Sequence, residues 1–360
     1  MKTPRYVVLV ALLITFALAA NAQAQSITQV VVLGDSLSDN GNLYNLIGRP
    51  GAPYWQGRIS DGPVAVEYLA QSLGVPLKDF AVAGATTGVG NVVDGGTVDT
   101  LGFISLPGIT TAFEGALSGG LFPVDSNALY IVWGGANDLL YFATTPAAAA
   151  VAIEKAVTNL VIIVGALQSL GATHIAVINL PDLGKSPFIL ANGPQVSAFF
   201  TQISIAFNQT LQSSLPLGVH YVDGFSIISN MQSNAEVYGF ENSTEPCFTG
   251  SSLCTDPDKY VYFDSLHPTT AAHKLIGNGF YQSVAPTVII GECDSGVPNE
   301  VLITGRTYSD LIMQAGNGAE NHDEFVSAVA FITNELKKSG AISGSQKGAI
   351  QKCGAQAEIP

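Results

Sequence analysis

The sequence predicts an α/β protein in which a parallel β-sheet is covered by helices on both faces. Short β-branched runs alternate along the chain with longer helical patterns, which is typical of such sheets. Hydrophobic residues make up 47% of the 360 residues, enough for a large core, and only 12% are charged, which argues against disorder. A change of composition near residue 297 predicts a main domain over residues 25–296 and a small helical appendage over residues 297–360.

The individual elements follow from the positions of these runs. Buried strands are predicted over residues 29–33, 80–82, 128–133, 174–180 and 219–222. Helices are predicted over residues 63–73, 147–170, 195–214 and 269–284, and in the appendage over 307–313 and 324–338. Residues 84–127 and 240–260 are predicted to be long loops, which commonly form lids or binding walls. Because ligands bind at the carboxyl ends of parallel strands, the residues that follow each strand are the candidates for function.

The N-terminus predicts a secretory signal peptide over residues 1–24. Lys2 and Arg5 precede an uncharged run over residues 6–19, and small residues place the cleavage after Ala22 or Ala24. A retained membrane anchor is the alternative, but the apolar run is shorter than the ~20 residues that cross a bilayer. We therefore expect a soluble exported protein, either periplasmic or extracellular.

The charge restricts the partners of the protein. The chain has a net charge of −14, and removal of Lys2 and Arg5 leaves 12 basic against 28 acidic residues, a net charge near −16. Such a surface repels nucleic acid and gains nothing electrostatically at an anionic lipid surface. We expect a neutral or zwitterionic substrate, no nucleic-acid partner and no obligate protein partner. Transient contact of the protein with a lipid surface remains compatible with this charge.

Four cysteines lie in the last third of the chain, and an even count in an exported protein predicts two disulfides. Of the three possible pairings we favour Cys247 with Cys254, which closes a short loop, and Cys293 with Cys353, which would tie the tail to the main body. Buried free thiols are the alternative. Zinc binding is disfavoured because the sequence contains no C-x-x-C pair.

A candidate nucleophile follows the first predicted strand, in Gly34-Asp35-Ser36-Leu37. If a helix begins near Leu37, Ser36 lies at its N-terminus, where the helix dipole favours a developing negative charge. The alternative is an ordinary serine that caps this helix.

A serine nucleophile needs a base, and His267 is the best placed of the five histidines. It lies in Asp264-Ser265-Leu266-His267-Pro268, immediately before a predicted helix, whereas His174 and His220 fall in strands. The Asp264 carboxylate can bond one imidazole nitrogen, so that the other nitrogen faces the serine. The alternative is that Asp264 caps the helix and His267 is merely exposed.

Two further strand ends carry possible donors for an oxyanion. Asn137 follows the third strand, in Gly134-Gly135-Ala136-Asn137-Asp138, and its amide is a neutral hydrogen-bond donor. Gly84 follows the second strand, and its backbone N–H can point to the same place. Structural glycines are common at strand ends, but a nucleophile, a base, an orienting acid and two donors at neighbouring strand ends are improbable by chance.

These blocks resemble the GDSL family of esterases and lipases, within the SGNH-hydrolase superfamily. The resemblance covers roughly residues 28–285, with Ser36, Gly84, Asn137 and the Asp264–His267 pair in the order of the family's blocks. The segments 57–63 and 253–260 are similar to the exported bacterial branch, which includes phospholipase-like and haemolysin-like members. The tail after about residue 296 has no recognised counterpart.

The resemblance implies a flavodoxin-like α/β/α sandwich and serine ester hydrolysis without a metal or organic cofactor. It implies that Ser36 is the nucleophile, that His267 and Asp264 complete the triad, and that the Ser36 and Gly84 N–H groups and the Asn137 amide bind the oxyanion. Two alternatives stay open: a carbohydrate O-acetyl esterase, and a catalytically silent binding protein. Apolar residues at 101–104 and 121–123 favour an acyl-chain pocket only mildly.

Overall fold

The computed structural model describes residues 27–121, 123–302, 304–319 and 321–357, so the predicted signal peptide lies outside the described residues. The described chain forms two compact units, Ile27–Phe280 and a second unit that starts at Tyr281. The division lies 16 residues before the predicted one, after residue 296. The physical reason is a hairpin over residues 287–298, whose buried Val288, Ile290 and Val297 belong to the core of the second unit.

The first unit is built on a five-stranded parallel sheet. The strands are β1 (Val30–Gly34), β2 (Leu77–Asp79), β3 (Leu129–Trp133), β4 (His174–Ile178) and β5 (His220–Val222), in the spatial order β2-β1-β3-β4-β5. Both central strands, β1 and β3, are buried over their whole length. Because β2, β1 and β3 are neighbours, the segments that follow their carboxyl ends share one edge of the sheet.

Helices cover both faces of this sheet. On one face, Val31 and Val132 belong to a core cluster with side chains of the long helices Pro146–Ser169 and Pro194–Ser214. On the other face, the Trp133 ring packs edge-on against Phe280 of the helix Thr270–Val284, with 5.1 Å between the centroids. The predicted three-layer α/β/α class is confirmed.

The first unit also contains the helices Asn42–Ile47, Ala65–Leu73, Ile109–Ala116, Ala136–Phe142, Pro187–Leu190 and Gly224–Ser233, and the strands β6 (Asn242–Pro246) and β7 (Tyr260–Tyr262).

The helix Pro146–Ser169 is, among the described helices, the one that is long and apolar enough to cross a membrane. Its Ala156, Leu160 and Val164 are buried in the core cluster on the sheet. Packing on the sheet accounts for its composition, because a helix that is apolar on most sides is typical of the core of a large domain.

Three predictions in the first unit are wrong in detail. The segment 240–260, predicted to be a loop, contains β6, which forms because its backbone pairs with β7. The second strand is Leu77–Asp79, not residues 80–82, although Phe80 and Val82 still donate backbone hydrogen bonds to Val32 and Gly34. The segment 84–127, predicted to be a loop throughout, contains the helix Ile109–Ala116. This helix buries Ile109 and Phe113 against the sheet cluster, so tertiary packing compensates for its weak sequence pattern.

The second unit has a core of its own, around Tyr308, Phe325 and Leu336. It consists of the antiparallel strands β8 (Thr287–Ile290) and β9 (Cys293–Pro298) and the helices Tyr308–Gly316, His322–Lys338 and Gly344–Gln356. The last helix and the hairpin were not predicted.

Both disulfides join the cysteines that the sequence favoured as partners, Cys247 with Cys254 and Cys293 with Cys353. The second bond links β9 to the helix Gly344–Gln356, and both of its cysteines belong to the second unit. The bond therefore closes a loop within the second unit. The sequence analysis predicts instead that it ties the tail to the main domain, and that prediction is wrong. The division before β9 is the reason for this difference.

Candidate active site

Ser36 lies in a tight turn directly after β1. The turn is held by its neighbour Asp35: the Asp35 carbonyl accepts the N–H groups of Ser38 and Asp39, and its carboxylate accepts that of Leu37. Burial raises the pKa of Asp35 to about 6, although the Leu37 hydrogen bond and the nearby His267 oppose the shift. No α-helix begins at Leu37 in this described segment, since the next helix starts at Asn42, so the predicted helix-dipole effect on Ser36 does not apply.

The structure brings Ser36, His267 and Asp264 into one hydrogen-bonded chain. The Nε2 atom of His267 lies 2.8 Å from the Ser36 hydroxyl oxygen, across 231 residues of sequence. On the other side of the ring, Nδ1 lies 2.8 and 2.9 Å from the two carboxylate oxygens of Asp264. The Asp264 Oδ1 atom also accepts the backbone N–H groups of Leu266 and His267, both at 2.8 Å. The short D-x-x-H spacing therefore fixes the ring and the acid against the same turn.

The electrostatics of this chain favour an imidazole that binds a proton readily. Burial by itself lowers the pKa of His267, but the charge and hydrogen bond of Asp264, helped by Asp35, raise it above its usual value. Burial by itself raises the pKa of Asp264. The His267 charge and the hydrogen bonds from His267 and Leu266 outweigh burial and hold the pKa of Asp264 below its usual value. With side-chain exposures of 18% for His267 and 14% for Asp264, both groups are partly shielded from water.

Tyr54 is a member of the site that the sequence analysis missed. Its hydroxyl donates a hydrogen bond of 2.9 Å to the Asp264 Oδ2 atom. The Tyr54 ring packs edge-on against Phe248 and Phe263, with centroid distances of 5.8 and 5.3 Å. Tyr54 therefore holds the carboxylate from the side opposite to the backbone N–H groups. No local signal identifies it, because 210 residues separate it from Asp264.

Another histidine near the site has a structural role. His273 is completely buried in the helix Thr270–Val284 and accepts the Ala65 N–H at Nδ1. Burial, together with the nearby His267, lowers the pKa of His273 to about 3, so its ring is neutral at ordinary pH. It joins two helices on one face of the sheet.

Gly84 lies in a turn that is held by side chains from the segments that follow β1 and β3. On one side, Asp39 from the loop after β1 accepts the Ala83 N–H at 2.7 Å. On the other side, Asp138 accepts the N–H and the hydroxyl of Thr87, at 3.0 and 2.7 Å. Burial raises the pKa of Asp138 to about 7, opposed by these Thr87 hydrogen bonds. The two buried acids thus fix the turn at both of its ends.

The backbone at Gly84 requires glycine. Its φ of +80° lies in the left-handed region, and a Cβ atom there would lie 2.5 Å from both Asn91 Oδ1 and Val93 Cγ2. Any side chain would therefore displace the turn.

The donors predicted for an oxyanion are available. Within the described chain, neither the Ser36 N–H nor the Gly84 N–H has a hydrogen-bond acceptor. The buried Asn137 side chain donates one amide N–H to the Ala85 carbonyl at 3.0 Å, which fixes the amide beside Gly84 and leaves its second N–H. Neutral, fixed donors of this kind stabilise the negative oxygen of a tetrahedral intermediate.

Comparison with known proteins identifies the family. The family model described as GDSL-like Lipase/Acylhydrolase matches residues 30–280. The chain belongs to this family. The GDSL match ends at Phe280, where the first compact unit also ends, so it includes all the site residues and excludes the second unit. The resemblance found in the sequence is confirmed, and the protein is a carboxylic ester hydrolase.

Curated relatives of this GDSL protein come from plants and bacteria. A GDSL esterase/lipase of Arabidopsis thaliana is 25% identical over 325 residues, covering 75% of this chain and 91% of the relative. The thermolabile hemolysin of Vibrio parahaemolyticus is 25% identical, covering 73% of this chain and 65% of the relative. The phosphatidylcholine-sterol acyltransferase of Aeromonas hydrophila is 26% identical, covering 66% of this chain and 71% of the relative.

Proposed function

We propose that the protein is an exported lipid-ester hydrolase that forms an acyl-enzyme on Ser36. The observation that carries this proposal is the continuous relay from the Ser36 hydroxyl through both nitrogens of His267 to the Asp264 carboxylate. Such a relay gives a serine hydroxyl the base it needs to attack an ester. Two disulfides support the export, because disulfides persist in oxidising compartments.

In the first half of the reaction, the Ser36 oxygen attacks the ester carbonyl while His267 Nε2 takes the hydroxyl proton. Asp264 stabilises the imidazolium that forms and keeps Nδ1 protonated. The carbonyl oxygen becomes an oxyanion, and His267 then gives its proton to the departing alcohol as the C–O bond breaks. In the second half, His267 takes a proton from water, the hydroxide attacks the acyl-enzyme, and the proton returns to Ser36 as the acid leaves.

We assign the oxyanion to the N–H groups of Ser36 and Gly84 and the Asn137 amide. Asn137→Ala is expected to lower kcat by about 10²–10³ with little change in KM, because the amide acts on charge that exists only in the transition state. Steady-state kinetics on a soluble nitrophenyl ester measure both constants. Thermal unfolding is the control, since the variant also loses the hydrogen bond to Ala85. A loss confined to KM would mean that Asn137 binds the ground-state substrate instead.

Two relatives support a lipid substrate: one is named for hemolysis and one for phosphatidylcholine. A different observation favours esters of carbohydrates. An open cavity of about 460 Å³ has Tyr54 in its lining, and the other lining residues include Asn40, Asn45 and Gln56, whose amide groups can bind sugar hydroxyls. An O-acetyl esterase for sugars is therefore the second candidate.

Hydrolysis rates across one substrate panel separate the two candidates. The panel consists of nitrophenyl esters from acetyl to palmitoyl, phosphatidylcholine and acetylated xylan, with the purified protein at one pH. For a lipid-ester hydrolase we expect kcat/KM to favour medium or long acyl chains, and we expect release of fatty acid from phosphatidylcholine. Preference for acetyl esters together with release of acetate from xylan would favour the second candidate. Absence of turnover on every substrate would contradict both.

A further inference from the structure

An exposed apolar surface follows the Gly84 turn. The exposed fractions are 97% for Phe103, 60% for Ile104, 50% for Val93 and 45% for Leu101, and we call these four residues the Phe103 surface. Single exposed apolar residues are ordinary, but four of them within a dozen positions, including an aromatic ring almost wholly in solvent, make this segment a candidate interaction surface.

The backbone under the Phe103 surface is fixed by Asp94, whose side chain is buried. Its carboxylate accepts the N–H groups of Ile104 and Leu106, at 3.1 and 3.0 Å, and its carbonyl accepts that of Phe103 at 3.0 Å. Gly102 packs so closely on Asp94 that a Cβ atom would lie 2.1 Å from the carboxylate. The segment thus presents Phe103 and Ile104 to solvent from a fixed backbone, although burying them within the protein would be favourable.

The Phe103 surface adjoins the candidate active site. The Val92 N–H donates to the Gly84 carbonyl at 2.9 Å, and Val93 occupies the space that a side chain at Gly84 would need. The Asn91 amide donates to the Ala83 carbonyl at 2.9 Å, directly before Gly84. A partner that covers the Phe103 surface would therefore lie beside the oxyanion donors.

The charges near this surface indicate which partner it fits. Between residues 80 and 113 the chain carries two charged side chains, Asp94 and Asp99. Asp94 is buried, and Asp99 pairs with Lys155. The segment is thus close to neutral in a protein whose net charge is −14, which suits an uncharged or zwitterionic surface and disfavours an anionic one.

We propose that the Phe103 surface docks the enzyme on a zwitterionic phospholipid surface and so delivers lipid esters to Ser36. Phe103 and Ile104 insert among the lipid headgroups, as aromatic and aliphatic side chains of membrane-surface proteins do. The biological meaning of this docking rests on the lipid-ester function proposed above, but the binding can be measured without catalysis.

The test uses phosphatidylcholine vesicles with ether-linked chains, which the enzyme cannot hydrolyse. Sedimentation with these vesicles measures binding of the full-length protein and of Phe103→Ser and Ile104→Ser. Each substitution is expected to weaken binding by roughly tenfold or more, the effect of withholding one large apolar side chain. Leu217→Ser is the matched control, because Leu217 is 73% exposed but precedes the amino end of β5, at the opposite edge of the sheet. It should bind as the unmodified protein does.

Hydrolysis assays separate failure of the docking from failure of the proposed function. Turnover of monomeric nitrophenyl acetate should be unchanged in all three variants, while turnover of ester-linked phosphatidylcholine vesicles should fall with Phe103→Ser and Ile104→Ser. Failure of the unmodified protein to bind the vesicles, equal loss in Leu217→Ser, or stronger binding to vesicles that contain phosphatidylglycerol would overturn the docking. A dimer that Phe103→Ser dissociates would assign the surface to a second copy instead. Vesicle binding without turnover of any ester would contradict the proposed function alone.

Discussion

Replacement of Ser36 by alanine is expected to lower kcat by roughly 10⁶, the loss found when the serine of a triad is removed. The Ser36 hydroxyl oxygen lies 2.8 Å from His267 Nε2, so the substitution removes the proposed nucleophile from beside its base. The fold should persist, because the backbone of the turn is held by Asp35 and not by the Ser36 side chain. Ester hydrolysis measures the loss, and circular dichroism checks the fold.

Ser38→Ala is the matched control for this prediction. Ser38 lies in the same turn and is wholly buried, but its hydroxyl has no hydrogen-bond partner among the described residues, so its removal should leave kcat within a few fold. A fluorophosphonate should label the unmodified protein and Ser38→Ala at Ser36, and should not label Ser36→Ala. Labelling of a different serine, or an active Ser36→Ala protein, would refute the assignment of the nucleophile.

The parts of the fold that the sequence predicts well are the buried central strands. β1 and β3 are continuous apolar runs, because both of their faces are covered by helices. β2 is an edge strand of three residues, Leu77, Lys78 and Asp79, and none of them is fully buried. A short half-exposed strand has no apolar run by which the sequence could indicate it. The sequence therefore predicts the strand at the more apolar residues 80–82, which follow it.

At the site, too, the sequence predicts the residues that a local pattern marks and misses those that depend on distant contacts. Asp264 and His267 lie in one short motif whose spacing itself creates their contact, and Ser36 directly follows a buried strand, so the sequence indicates all three as candidates. The helix expected after Ser36 is absent from this described segment, because Asp39 accepts the backbone N–H groups of Gly41, Asn42 and Leu43 and delays the helix to Asn42. Tyr54 depends on a tertiary contact between distant loops, which leaves no spacing to detect.

Asp264→Asn is expected to lower kcat by roughly 10⁴, the scale known for this substitution in serine triads. The amide oxygen can replace Oδ1 and accept the two backbone N–H groups, which places the NH2 group at the position of Oδ2, 2.9 Å from Nδ1. The NH2 group then donates to Nδ1 and forces the proton of the neutral ring onto Nε2. His267 would present a donor to Ser36 where an acceptor is needed, so the base is lost without a change of shape.

The pH profile of this variant separates the charge of Asp264 from its hydrogen bonds. In the unmodified protein the charge of Asp264 raises the pKa of His267, and His267 must be neutral to act as a base, so activity falls as pH drops through that raised pKa. Without the charge, burial lowers the pKa of His267, and the acid limb of kcat/KM should move to lower pH. Asp35 and His273, which also face His267, are unchanged in the variant.

Tyr54→Phe is the matched control for the charge, because it keeps the carboxylate and the ring packing but removes one donor to Oδ2. Its kcat should fall by at most about 10², the upper worth of one hydrogen bond to a charged group, and so far less than the kcat of Asp264→Asn. Its acid limb should stay in place or move to higher pH, since an Asp264 carboxylate with one donor fewer attracts the imidazolium proton more strongly. If the acid limb of Asp264→Asn stays where it is in the unmodified protein, Asp264 does not set the pKa of the base, and its role is limited to holding the ring.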